Sequence, residues 1–281
     1  MGARMTLRQP VRVEVPVRDN DASSIGGWLK AGELVLEDGT VLTGRSFGWP
    51  HATAGEVVFS TGMVGYPESL TDPSFSGQIL TCTWPMVGNY GVPRSQIHPV
   101  SGLEETLESS RIHVTGLIVA DYSEAYSHWR ADRSLARWLH DQRIPALTGV
   151  DTRALTRRLR ERGSMLGKIR FPGEDVDFYD PNIENLAERV SIAEPQVMGK
   201  GTRRVALLDC GCKHNIIHSL LARDLEVLRL PWNARLADHD FDGLFISNGP
   251  GNPRFYRDTI AQIRGAIDDK RPTFGICLGH Q

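Results

Sequence analysis

At 281 residues the chain is long for one ordinary core and suits two domains. Hydrophobic residues make up 40% and charged residues 23%, a globular composition, with 32 basic against 34 acidic side chains for a formal net charge of −2. That balance excludes the basic footprint of nucleic-acid or anionic-membrane binders, and no apolar run is long enough to span a bilayer.

Residues 1–31 are polar, with Arg4, Arg8, Arg12 and Arg18 scattered among Glu14, Asp19 and Asp21. Acidic residues disfavour an organelle import peptide, and a secretory signal would need an apolar core, so a loose N-terminal extension is expected. A strand-rich domain follows over 32–170. Residues 33–36 and 41–44 flank Asp38-Gly39, a strong hairpin signal. Residues 56–60, 78–83 and 113–119 read as further strands, and the Gly- and Pro-punctuated stretch 62–76 reads as loop. Leu135, Trp138 and Leu139, then Leu155 and Leu159, recur at helical spacing, the second set between an Asp151 cap and a Gly163 stop. Both stripes read as core-facing. Residues 171–203, rich in Pro, Asp, Glu and Gly, are expected to be a linker.

From 204 to 281 strands alternate with helices: strands over 205–209, 225–230, 243–247 and 273–276, helices over 215–223 and 257–269. This pattern predicts a parallel sheet, whose ligands gather at the carboxyl ends of the strands. The fold class is therefore α/β, a strand-rich α+β domain followed by a parallel-sheet domain.

Four cysteines stand at 82, 210, 212 and 277, with neither zinc-knuckle spacing nor the density of a disulfide scaffold. Reduced thiols in a cytosol are expected, and no metal site. Gly275-x-Cys277-x-Gly279 follows the last strand in the manner of a nucleophile elbow. A helix start there would favour thiolate. On these five residues alone, a buried strand-end cysteine with incidental glycines fits equally well. Ser247-Asn248-Gly249-Pro250-Gly251 ends the preceding strand and leaves bare backbone N–H groups, a second oxyanion donor or an ordinary turn.

Together these segments resemble class I glutamine amidotransferases, through the octet Phe274-Gly275-Ile276-Cys277-Leu278-Gly279-His280-Gln281. Ala54-Gly55-Glu56, Gly65-Tyr66-Pro67-Glu68, Leu70-Thr71-Asp72-Pro73-Ser74, Gly88-Asn89-Tyr90-Gly91 and Leu208-Asp209-Cys210-Gly211 narrow the resemblance to the small chain of carbamoyl-phosphate synthetase. The resemblance implies that glutamine is hydrolysed through a Cys277 thioester and ammonia passes to a large synthetase chain, separate or fused. That partner uses bicarbonate, ATP and magnesium to make carbamoyl phosphate for arginine and pyrimidine synthesis, and this chain needs no cofactor of its own. Leu278 and Gly249 N–H groups would hold the oxyanion, and Gly249, Gly251, Leu278 and Gln281 would line the glutamine pocket. A serine that touches glutamine in some relatives is matched to Gly62.

The family's base and its carboxylate partner follow the elbow, beyond Gln281, so the 281-residue chain is expected to be an inactive, truncated glutaminase half-site. His280 reads as structural. The alternative is a non-catalytic fragment that binds the large chain. Residues 111–232 also resemble eukaryotic-type chains, including an ammonia-dependent mitochondrial branch that lacks the cysteine. The presence of Cys277 favours glutamine dependence and a cytoplasmic setting over a mitochondrial one.

Overall fold

The computed structural model describes residues 12–13 and 29–281. Most of the expected extension over 1–31 lies outside the described residues; Arg12–Val13 pair in parallel with Val41 and Leu42.

The first domain is built on seven strands: β1 Ala31–Leu36, β2 Val41–Ser46, β3 Thr53–Ser60, β4 Gln78–Cys82, β5 Gly116–Ile118, β6 Ala146–Thr148 and β7 Met165–Arg170. Their order is β2-β6-β5-β4-β3-β7-β1, and β1 also pairs with β2, so the sheet closes into a barrel. Strands β3 to β6 are parallel neighbours, and the other pairs are antiparallel. Along β1 burial alternates with period two, Leu34 and Leu36 fully buried and Glu33 and Val35 half-buried between them. The β1–β2 turn forms at Asp38-Gly39 as expected, with Gly39 N–H donating to the Leu36 carbonyl at 2.9 Å.

Helices α1 (Tyr66–Thr71) and α2 (Leu135–Asp141) share one core with the barrel, through Leu70, Leu80, Leu117, Leu135 and Leu139. Helix α3 (Thr152–Arg162) joins the other core, where Leu155 and Leu159 meet Leu34, Val57, Ile79 and Ile118. Its cap is the expected one: the Asp151 carboxylate accepts from Ala154 N–H at 2.8 Å.

Helix α1 and a 3-10 turn at Pro73–Phe75 replace the loop expected over 62–76. Pro67 sits in the first helical turn, where its missing N–H costs nothing, and Tyr66 and Leu70 are buried one turn apart. Tertiary packing thus overrides the loop signal of Gly and Pro. The strand expected over 113–119 is shorter, pairing only at β5.

The stretch expected as a linker, 171–203, carries structure. It holds α4 (Ala187–Val190), with Leu186 and Ala187 buried, and β8 (Gln196–Met198), which joins the second sheet at its edge. These pieces are too short to show a period in sequence. The second sheet adds β9 Arg203–Asp209, β10 Leu225–Pro231, β11 Gly243–Ile246 and β12 Thr273–Gly275, in the order β8-β10-β9-β11-β12. Strands β9 to β12 are parallel, as their alternation with helices predicts, and β8 is antiparallel. Helix α5 (His214–Leu221) packs Ile217 on the face of Leu207, Val227 and Phe245. Helix α6 (Arg257–Asp268) packs Ala266 on the opposite face with Ala206, Leu208 and Leu244. Burial on both faces explains the continuous apolar run of β9. The carboxyl ends of β9, β11 and β12 therefore share one edge, where both chemical motifs lie. Among the described residues no helix is long and apolar enough to cross a membrane.

Candidate active site at the carboxyl edge of the second sheet

Strand β12 ends at Gly275, and the chain turns sharply through Cys277. Its φ of 53° is left-handed, a conformation that costs a non-glycine residue on the order of 1–3 kcal/mol. Ile276 N–H donates to the Ile246 carbonyl at 3.1 Å, and the Cys277 carbonyl accepts from the N–H groups of His280 (3.0 Å) and Gln281 (3.2 Å). The flanking glycines are needed for close approach: a Cβ on Gly275 would lie 2.2 Å from the Gly279 carbonyl oxygen, and one on Gly279 2.4 Å from that of Ile246. A single 3-10 turn, Cys277–Gly279, follows.

This turn is why Cys277 is exposed while the other three thiols are buried. Burial pushes the Cys82 and Cys210 thiols up to about 12 and, with nearby Asp209, raises Cys212 well above its ordinary value. Those three are packed side chains, unsuited to nucleophilic work at neutral pH.

Gly249 lies beside the elbow, since a Cβ there would meet the Leu278 Cδ2 at 2.9 Å and the Cys210 carbonyl oxygen at 2.2 Å. Leu278 is buried against this loop, and Gly251 is left-handed at φ 76°. Among the described residues, the backbone N–H groups of Gly249 and Leu278 have no acceptor. Gln281 is exposed and lines, with Leu278 and His280, a cleft of about 530 Å³ between the elbow and α6. The structure thus brings Cys277, Leu278 and Gly249 together, with Gly251 on the same loop and Gln281 on the outer side of the turn. The His280 ring has no hydrogen-bond or ion-pair partner among the described residues.

Four residues without an assigned role in the sequence reading complete the neighbourhood, and two of them come from the first domain. Asn248 is buried; its Nδ2 donates to Ser74 Oγ at 2.8 Å and to the Gly211 carbonyl at 2.9 Å, and lies 3.4 Å from Asp72 Oδ1. Its Oδ1 accepts from Lys213 N–H at 3.1 Å. Lys213 Nζ pairs with Asp72 Oδ2 at 2.8 Å. Burial works against the lysine charge, but Asp72, Glu108 and Cys277 outweigh it and raise the Lys213 pKa. Gly62, the position matched to a glutamine-touching serine, is exposed, and among the described residues its N–H donates to Ser60 Oγ, two positions back. The first-domain serine that reaches the Gly249 loop is Ser74. The sequence pattern had included Asp72-Pro73-Ser74 and Asn248, but nothing in their spacing shows that they meet.

Beneath this layer, the fully buried Asp209 holds the β9 end. Its Oδ1 accepts from Gly211 N–H (2.8 Å) and Cys212 N–H (2.7 Å), and its Oδ2 from Arg229 Nε (2.8 Å). Among the described residues no three His, Cys, Asp or Glu side chains are grouped to hold a metal ion.

Two family models match the chain: the carbamoyl-phosphate synthase small chain, CPSase domain, over residues 34–169, and glutamine amidotransferase class-I over residues 206–281. The chain is 48% identical over 252 residues to "Carbamoyl-phosphate synthase [ammonia], mitochondrial" of Aquarana catesbeiana, covering 88% of this chain and 17% of that protein. The Homo sapiens protein of the same name is 48% identical over 250 residues, with 88% and 17% covered. "Multifunctional protein CAD" of Squalus acanthias is 46% identical over 254 residues, covering 88% of this chain and 11% of that protein. The chain thus spans less than a fifth of the length of these relatives. With a closed small-chain barrel joined to an amidotransferase sheet, and both family models matched in that order, the chain belongs to the carbamoyl-phosphate synthase small-chain family with its class-I glutamine amidotransferase domain.

Proposed function

We propose that the chain is the glutaminase component of a glutamine-dependent carbamoyl-phosphate synthase, with Cys277 as the nucleophile. The observation that carries this reading is the exposed cysteine in a left-handed strand-end turn, beside the unoccupied N–H groups of Leu278 and Gly249. In this reading the Cys277 thiolate attacks the carboxamide carbon of L-glutamine, forming a C–S bond. The two N–H groups stabilise the negative oxygen that develops. The C–N bond breaks, nitrogen leaves as ammonia after taking a proton, and water hydrolyses the thioester to glutamate and free thiol. Gly249, Gly251, Leu278 and Gln281 line the glutamine pocket. Ammonia goes to a large synthetase chain, which uses bicarbonate and magnesium-bound ATP to make carbamoyl phosphate for pyrimidine and arginine synthesis in the cytoplasm. This chain itself requires no cofactor.

One observation favours a second reading, a non-catalytic module that binds the large chain. A thiol nucleophile works with an oriented base, and the His280 ring has no partner to orient it among the described residues. A complex with the large chain separates the two readings. Under the glutaminase reading, Cys277→Ser lowers carbamoyl-phosphate synthesis from glutamine by about 10³-fold or more while synthesis from ammonia persists. Equal glutamine-dependent rates in the two complexes would remove Cys277 from the chemistry.

A further inference from the structure

The Asn248 side chain has three short hydrogen bonds, and they go to three different parts of the molecule. One runs to Ser74 in the barrel domain, one to the Gly211 carbonyl at the end of β9, and one comes from Lys213 N–H at the start of α5. A carboxamide offers two N–H donors and one carbonyl oxygen, so this geometry uses each of them. The side chain is buried at 2% exposure, where a lost partner is not replaced by bulk water. Its own backbone leads directly into Gly249, which is pressed against the Cys210 carbonyl and Leu278. A second tie, Lys213 to Asp72 at 2.8 Å, spans the same domain boundary. Asp72 in turn accepts from Ser74 N–H at 2.9 Å, which holds the barrel-side turn as one unit.

We propose that Asn248 is a positioning residue that couples the Gly249–Gly251 loop to the seating of the barrel domain's Asp72–Ser74 turn. With that turn seated, all of the carboxamide's partners are in place and the Gly249 N–H is fixed beside the elbow. With the turn displaced, Asn248 loses the Ser74 contact and the loop loses its anchor. Movement at the face of the barrel domain, such as docking of another chain, then changes the elbow's surroundings without touching Cys277. The link to catalysis rests on the glutaminase reading above; the mechanical coupling does not.

The test compares the whole chain with Asn248→Asp, which keeps the shape but presents an acceptor to the Gly211 carbonyl and to Asp72, and with the milder Ser74→Ala. Amide hydrogen exchange is followed in peptides covering 72–76 and 248–252. The coupling predicts faster exchange in both peptides for both variants, about 10-fold or more for Asn248→Asp, with little change in the β1–β2 hairpin. Ser74→Ala, which removes one bond from the barrel side only, must still loosen 248–252. Exchange that changes only around the substituted residue overturns the proposal.

The same proteins are then labelled at Cys277 with a chloromethyl ketone of glutamine shape and with iodoacetamide. A slower ketone reaction in Asn248→Asp, by about 10-fold, with unchanged iodoacetamide reaction supports positioning of an oxyanion donor, because only the ketone develops an oxyanion. Coupled exchange without any ketone-specific effect would leave the mechanical link standing and overturn its assignment to oxyanion positioning. A wild-type chain that does not prefer the glutamine-shaped ketone would count against the glutaminase reading itself.

Discussion

The two sheets of this molecule deal with their edges in opposite ways. In the barrel, β1 bonds to both β2 and β7, so the seven-strand ring has no open side. In the second sheet β12 has no partner on its outer side among the described residues, and Phe274 on it is 61% exposed. The barrel gives a self-contained frame with cores on two faces. The open sheet gives parallel strand ends that turn into loops with bare N–H groups, where an exposed thiol can be presented. Among the described residues, the barrel reaches the Asn248–Lys213 side of that site through Asp72 and Ser74.

The largest effect expected from this contrast concerns catalysis. In the complex with the large chain, Cys277→Ala should lower ammonia release from glutamine by about 10³-fold or more, because Cys277 is the exposed thiol at the open edge. Cys82→Ala, in the barrel, should leave that rate unchanged, since its thiol is buried. A rate that survives Cys277→Ala would place the chemistry elsewhere.

A smaller effect concerns stability and tests whether the two sheets are independent. Asp209→Ala leaves Arg229 buried without its partner and strips the acceptor from the Gly211 and Cys212 N–H groups, a loss of about 3–5 kcal/mol. Ile79→Ala in the barrel empties a fully buried site and should cost about 2–5 kcal/mol. If the domains unfold separately, urea melts followed by residue-level exchange will show each substitution lowering its own transition. A common shift of both would mean that the boundary contacts merge the sheets into one cooperative unit.

The smallest effect is a pH dependence shared across the boundary. Burial lowers His214 to about 4, outweighing its bond to the Glu104 carbonyl, with Arg229 and His218 acting in the same direction. Burial, then Arg111 and His214, lowers His113 to about 4 as well. Unfolded histidine titrates near 6.5, so between those values the unfolded chain binds more protons. The stability contributed by these neutral rings is therefore full above pH 6.5 and is lost as pH falls toward 4, by up to about 3 kcal/mol for each ring. The urea midpoint should drop over that window, and His214→Gln should flatten the drop. A midpoint constant from pH 7 to 4.5 would contradict these burial effects.

Much of this architecture was legible in local sequence. The Asp38-Gly39 hairpin, the Asp151 cap of α3 and the alternation of strands and helices after residue 204 each depend on neighbours within a few positions. The octet around Cys277 likewise marked a strand-to-turn junction, since Gly275 and Gly279 are required by contacts a short way along the chain or on the next strand. Helix α1 is hidden in the sequence because Gly65 and Pro67 resemble loop residues until Tyr66 and Leu70 find a core to fill. The edge strand β8 is hidden because three residues carry no measurable period. The contacts of Asn248 with Ser74, and of Lys213 with Asp72, span well over a hundred positions and follow from how two separately folded bodies meet. No local pattern encodes them.

The ring closure of the barrel has a consequence for synthesis on the ribosome. Leu36 in β1 pairs with Gly167 in β7, about 130 residues later, so the hairpin emerges long before the strand that completes its ring. At roughly 5–20 residues per second the delay is on the order of ten seconds. Throughout that interval Leu34, Leu36 and Leu42 have no finished interior to enter, although all three are buried in the native protein. The nascent hairpin is thus an obligatory holding state, exposed to chaperones and to pairing with other nascent chains. Slowing translation within the first 160 residues should lengthen that exposure, whereas slowing it after β7 has left the exit tunnel should not.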